Sequence, residues 1–162
     1  ASPWRDRLDA RLVGFEQLAD LCHHEFDLIV SNPPYFSSGI ITPDSRRLSA
    51  RHQGKLSPLA LLSEGGNLLK EKGRVVMIIP ADQTDSLVEE AMRLNFGLRR
   101  ITLVRGHSSA PLKRALLDFA YRPTSDMELV APKDADLLTL EESPGIPTHD
   151  YTALCRDFYL KF

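Results

Sequence analysis

The residues best suited to chemistry stand together as Asn32-Pro33-Pro34-Tyr35, directly after the run Phe26-Asp27-Leu28-Ile29-Val30-Ser31. The Asn32 side-chain oxygen and the Pro33 carbonyl are two acceptors that can take the two hydrogens of one amino group. The proline rings fix φ and stiffen the corner. Tyr35 offers a flat face on which a planar group can stack. The lone pair of an aromatic amine is delocalised into its ring and attacks poorly. Two acceptors on its hydrogens favour a pyramidal nitrogen whose lone pair points at an electrophile, so fixed dipoles stabilise the transition state. No acid or base is needed if the electrophile is already cationic, as a sulfonium methyl is.

Such a corner must be held by a sheet. Leu28–Val30 reads as a short buried strand, and two prolines end its ladder. Ligands of open α/β sheets bind at strand carboxyl ends, where this corner would sit. Leu8–Val13 alternates like a short strand, and Glu16–His24 like a connector with a turn or two of helix. Ser57-Pro58 is an N-cap followed by proline at N1. It opens a helix to about Lys70, with Gly65-Gly66 inside it and Gly73 as its stop. Arg74–Ile79 is a second strand, ended by Pro80. Thr84 or Asp85 begins a helix with Leu87, Val88, Ala91 and Leu94 inward and Gly97 ending it. Leu98–Val104 and Arg114–Ala120 are two more strands, expected as an antiparallel hairpin at the sheet edge. From about residue 122 to 162 prolines punctuate an extension, with a strand at Met127–Val130 and an amphipathic helix at Tyr151–Leu160.

The chain has 162 residues, 43% hydrophobic and 26% charged, with a formal net charge of −2. That suits one soluble domain and makes any nucleic-acid surface a local one. No apolar run approaches the ~20 residues of a membrane span. Cys22 and Cys155 stand far apart without a CxxC, so reduced thiols in the cytoplasm and no metal site are expected.

Taken with its strand, Asn-Pro-Pro-Tyr resembles motif IV of the class I S-adenosylmethionine-dependent methyltransferases that act on amino groups. Further residues sharpen the likeness. They are Ala50-Arg51-His52 and Leu56, then Pro111-Leu112-Lys113-Arg114-Ala115-Leu116-Leu117, then Tyr151-Thr152-Ala153-Leu154-Cys155-Arg156-Asp157-Phe158-Tyr159-Leu160. Together they resemble the bacterial valine-tRNA adenine-N6 methyltransferase family, which methylates the adenosine immediately 3′ of the anticodon.

The resemblance implies a Rossmann-like α/β sheet, S-adenosyl-L-methionine as methyl donor and the tRNA anticodon stem-loop as partner. It casts Asn32, Pro33 and Tyr35 as catalytic residues and places Pro34 and Phe36 beside the base, although an aromatic such as Phe36 can equally pack beneath the loop. Arg46, Arg47, Arg51, His52, Lys113 and Arg114 become candidate phosphate contacts. His52 is not needed as a base, because the proton can leave to water after methyl transfer. Asn32 and Phe15 are the expected cofactor contacts; Gly14 stands where many relatives carry an acidic residue, and Phe15 can instead pack in the core. The chain has no GxGxG turn and no strand ending in a ribose-binding acid. It is therefore expected to be the C-terminal portion of such a domain, lacking about two strand–helix units of ~30 residues each. Two other readings share parts of the pattern: a release-factor-type glutamine methyltransferase, and a non-catalytic RNA-binding module.

Overall fold

The computed structural model describes residues 3–34 and 56–159. In chain order the elements are α1 (Phe15–Leu21), β1 (Phe26–Ser31), α2 (Pro58–Leu68), β2 (Leu69–Pro80), α3 (Thr84–Arg93), β3 (Phe96–Arg105), β4 (Arg114–Tyr121), β5 (Asp136–Thr139), β6 (Glu141–Ser143), β7 (Ile146–Pro147) and α4 (His149–Cys155). The first five strands form one sheet in the order β1-β2-β4-β3-β5, and β6 pairs with β7. β1 runs parallel to β2, and β5 parallel to β3, while β4 is antiparallel to both of its neighbours.

Register lines up the core. Val75, Met77 and Ile79 of β2 stand opposite Phe119, Leu117 and Ala115 of β4, and Leu98 and Ile101 of β3 continue the first two rows. All eight are buried. Leu61 and Leu62 of α2 and Leu87, Val88 and Ala91 of α3 close over this face. Each large side chain so buried contributes about 1.5–3 kcal/mol. The other face is less covered. Val30 stands beside Val76, and Ile78 beside Leu116, in the ladders. Val30 is 70% exposed and Leu28 45%. β1 is thus buried on one side only, and among the described residues no strand pairs with its outer edge.

Several helix boundaries follow local chemistry. Ser57 Oγ accepts from the Ala60 amide at 3.1 Å and caps α2, with Pro58 at N1. Gly65 and Gly66 tolerate close approach rather than a turn. A Cβ on Gly65 would meet Ile29 Cδ1 at 3.3 Å, and one on Gly66 would meet Tyr121 Cε2 at 3.1 Å. The glycines let α2 lie close on β1 and β4.

The expected stops differ. The chain turns from α2 into β2 at Leu68/Leu69 without a glycine, and Gly73 lies inside β2 where the register with β1 shifts. α3 ends at Arg93 through Asn95, whose φ of 61° supplies the left-handed residue expected of glycine; Gly97 belongs to β3. Gly97 makes room there for Leu129 and Pro123, whose side chains a Cβ would meet at 2.8 and 2.9 Å.

Leu8–Val13 is not a strand: Leu8 and Leu12 are exposed, and alternation without a partner ladder or a covered face does not hold a strand. Met127–Val130 is not a strand either. Only the Val130 amide reaches the sheet, at Leu98 O. The strand of the extension is β5, too short and mixed to be distinguished by its pattern, and it moves the β3–β4 hairpin away from the edge. The last helix is α4, starting two residues earlier than expected, with Thr148 as its cap.

Candidate active site

β1 delivers the corner. Its last ladder pair is Ser31 with Met77, after which Asn32-Pro33-Pro34 leave the sheet. The Pro33 ring is fully buried, whereas Asn32 and Pro34 are exposed. A buried, φ-fixed ring between two exposed residues anchors the corner. Tyr35, Phe36, Arg46, Arg47, Arg51 and His52 lie outside the described residues.

Lys113 and Arg114 come to the same end of the sheet. Arg114 stands opposite Pro80, the last residue of β2, and Lys113 O accepts from the Ala81 amide at 3.2 Å. β4 is two strands from β1, about 10 Å at the usual inter-strand spacing. Lys113 is exposed; Arg114 is half-buried, and its Nη1 donates to Lys113 O at 3.0 Å.

Phe15 opens α1, whose first amide turn is tied by the Gly14 amide donating to Gln17 Oε1 at 3.3 Å. Its ring is half-buried. It packs on the core and lines a cleft of about 1050 Å³ together with Phe26, Leu56 and Ala60. Glu16 and the Asp9–Arg11 pair, 2.7 Å apart, contribute polar groups to the cleft. The hydrogen bond to Asp9 raises the Arg11 pKa above its ordinary value, with the nearby Cys22 adding to it. α1 packs on α2, and α2 leads straight into β2, so the start of α2 lies toward the strand carboxyl ends. Asn32 is not among the residues lining this cleft.

Arg105, the last residue of β3, was not distinguished by its sequence position. It stands in register with Thr139, and its Nε donates to Thr139 Oγ1 at 2.9 Å. It belongs to the same sheet end as Lys113, because the Lys113 amide donates to Val104 O at 2.9 Å. Among the described residues no helix is long and apolar enough to cross a membrane.

No family model matches the chain. The curated relatives do. It is 32% identical over 162 residues to a tRNA1(Val) (adenine(37)-N6)-methyltransferase of Edwardsiella ictaluri, covering 100% of this chain and 63% of that protein. It is 35% identical over 164 residues to the protein of the same name from Phocaeicola vulgatus, covering 99% of this chain and 64% of that one. The chain thus spans just under two thirds of the length of these relatives. Among solved structures, a predicted O-methyltransferase from Agrobacterium tumefaciens superposes with a TM-score of 0.59 at 17% identity, covering 92% of this chain and 58% of that one. A candidate DNA modification methylase from Thermus thermophilus, complexed with S-adenosyl-L-methionine, gives 0.52 at 14%, covering 90% and 72%. These two likenesses speak for the fold alone, a Rossmann-like α/β sheet. Along its whole length the chain is similar to proteins named tRNA1(Val) (adenine(37)-N6)-methyltransferase.

Proposed function

We propose that the protein transfers a methyl group from S-adenosyl-L-methionine to the N6 amino group of an adenosine next to the anticodon of a tRNA, in the cytoplasm. The observation that carries this reading is the Asn32-Pro33-Pro34 corner at the carboxyl end of β1, in a chain related throughout to tRNA adenine-N6 methyltransferases. In this reading the Asn32 oxygen and the Pro33 carbonyl accept the two N6 hydrogens and turn the lone pair toward the methyl carbon. The nitrogen–carbon bond forms as the carbon–sulfur bond breaks, and the extra proton leaves to water. Tyr35 stacks on the base, with Pro34 and Phe36 beside it. A base of the anticodon loop is weakly stacked, so extruding it costs less than from a duplex.

The residues present fit the aromatic end of the methyl donor. Phe15, Leu56 and Ala60 offer an apolar wall in a cleft with polar groups at Glu16 and Arg11. When bound, the donor supplies an electrophilic sulfonium methyl. The 162 residues contain no GxGxG turn for its remaining parts. Among the described residues the outer edge of β1 is unpaired, and Val30 and Leu28 are exposed on one of its faces; both support a complete sheet in which the cofactor-binding strands of the N-terminal half continue from that edge. On this reading residues 1–162 form the C-terminal part of the domain, with about 122–162 as an extension. Lys113, Arg114, Arg46, Arg47, Arg51 and His52 meet RNA phosphates.

The test is transfer of labelled methyl from S-adenosyl-L-methionine by the full-length protein to total tRNA and, in parallel, to a release factor. Label in tRNA alone is the expected result. Label in the release factor alone would replace this reading with glutamine methylation, and label in neither would leave a non-catalytic module.

A further inference from the structure

Arg105 differs from two other arginines of its sheet, Arg74 and Arg100. Arg74 lies 3.6 Å from Asp118, and Arg100 lies 3.2 Å from Asp136. Both stand further from the carboxyl end of the motif strand, and both are neutralised. Arg105 stands at that end. Its Nε donates to the neutral Thr139 hydroxyl, and among the described residues no carboxylate pairs with it. A guanidinium held by Nε keeps its two terminal nitrogens as a fork, the geometry that matches a phosphate.

The hold on Arg105 is itself built. Arg105 and Thr139 are register partners in a parallel ladder, so their side chains leave the same face. The Leu140 amide donates to Arg105 O at 3.0 Å, and the Glu141 amide to Gly106 O at 2.8 Å. Thr148 then locks Thr139 from the far side: its hydroxyl donates to Thr139 O at 2.6 Å and accepts from the Tyr151 amide at 3.2 Å. Thr148 caps α4. A continuous path of hydrogen bonds thus runs from α4 through Thr148 and Thr139 to the Arg105 guanidinium.

We infer that Arg105 is a phosphate contact for the RNA substrate and that the C-terminal β5–α4 segment serves to position it, with Thr139 as the positioning residue. This rests on the tRNA reading above. β3 is three strands from β1, about 14 Å at the usual spacing, so Arg105 would meet the backbone flanking the target base rather than the target nucleotide. Lys113, also without a carboxylate partner among the described residues, stands between them and continues the track.

The experiment measures binding of an unmodified tRNA transcript to the full-length protein between low and high KCl, for wild type, Arg105→Gln, Arg105→Lys, Thr139→Val and Thr139→Ser, with melting temperatures of each. Arg105→Gln should make the log–log salt slope shallower by about 0.7–0.9, the loss of one phosphate contact. Arg105→Lys should keep the slope, because the charge survives, yet bind more weakly. Thr139→Val should weaken binding about three- to tenfold, the loss of one orienting hydrogen bond, and Thr139→Ser should restore it. Wild-type binding with an unchanged slope and affinity in Arg105→Gln would overturn the inference and leave the tRNA reading standing. A lowered melting temperature in Arg105→Gln and Thr139→Val at constant slope would also overturn it, making the pair a strut. Absence of tRNA binding by the wild type would end both.

Discussion

Gly65→Ala and Gly66→Ala should change stability in opposite directions, although they are adjacent in one helix. Each replacement gains about 1 kcal/mol of helix propensity. What decides the sign is the neighbour that the new methyl meets. At Gly65 it meets the terminal methyl of Ile29, at 3.3 Å, on a half-buried side chain that can rotate away. At Gly66 it meets the Tyr121 ring at 3.1 Å, with the hydroxyl at 3.5 Å. That ring is 8% exposed, tilted against Phe96 at 5.0 Å between centroids and covered by the Arg122 guanidinium 5.0 Å above it. It has no room to retreat. Overpacking of this kind costs about 1–3 kcal/mol. Gly65→Ala should therefore be neutral or up to about 1 kcal/mol stabilising, and Gly66→Ala about 1 kcal/mol destabilising. For a domain of this size 1 kcal/mol moves Tm by about 2–4 °C. Thermal unfolding followed by circular dichroism reads both. Equal rises in Tm would refute the reasoning, since they would mean that the Tyr121 ring yields as easily as a methyl group.

Lys113→Ala combined with Arg114→Ala should raise KM for tRNA and flatten the salt slope by up to about 0.9 per contact, at unchanged Tm; a lowered Tm with the slope intact would make Arg114 a structural partner instead. Tyr35→Phe should be mild in a methyl-transfer assay because the ring survives, whereas Tyr35→Ala should lose about 1–3 kcal/mol of base stacking, read as kcat/KM; equal effects would remove the stacking role. Phe15→Ala should weaken S-adenosyl-L-methionine binding to the full-length protein by calorimetry, and unchanged affinity would assign that ring to the core alone.

The motif strand, the capped start of α2 and the strand ended by Pro80 were legible because each is signalled locally, by an apolar run, a Ser-Pro cap or a proline; the β3–β4 pairing followed from the resemblance, which placed it at the sheet edge that β5 takes instead. The stops at Gly73 and Gly97 were misread for a physical reason. Asn95 also adopts a left-handed turn, and glycines serve close packing as often as termini, as Gly97 does under Leu129. β5 was not legible because four residues with one buried side chain, Leu138, carry no period to read. Its existence depends on pairing with β3, a long-range fact. The same pairing creates the Arg105–Thr139 contact, so no local pattern in the sequence separates Arg105 from other arginines. Exposure of Val30 was hidden too, because an apolar run reads as buried whether or not its neighbours are present.

The most direct test is nucleoside analysis of tRNA after incubation with S-adenosyl-L-methionine and either the full-length protein or its Asn32→Ala variant. The wild type should produce N6-methyladenosine in the anticodon loop. Asn32→Ala should lose about 10²–10³-fold in kcat, as when a preorganised transition-state hydrogen bond is removed, far more than it loses in stability. Methylation at full rate by Asn32→Ala, or a methyl group found on any atom other than an adenine N6, would contradict the account.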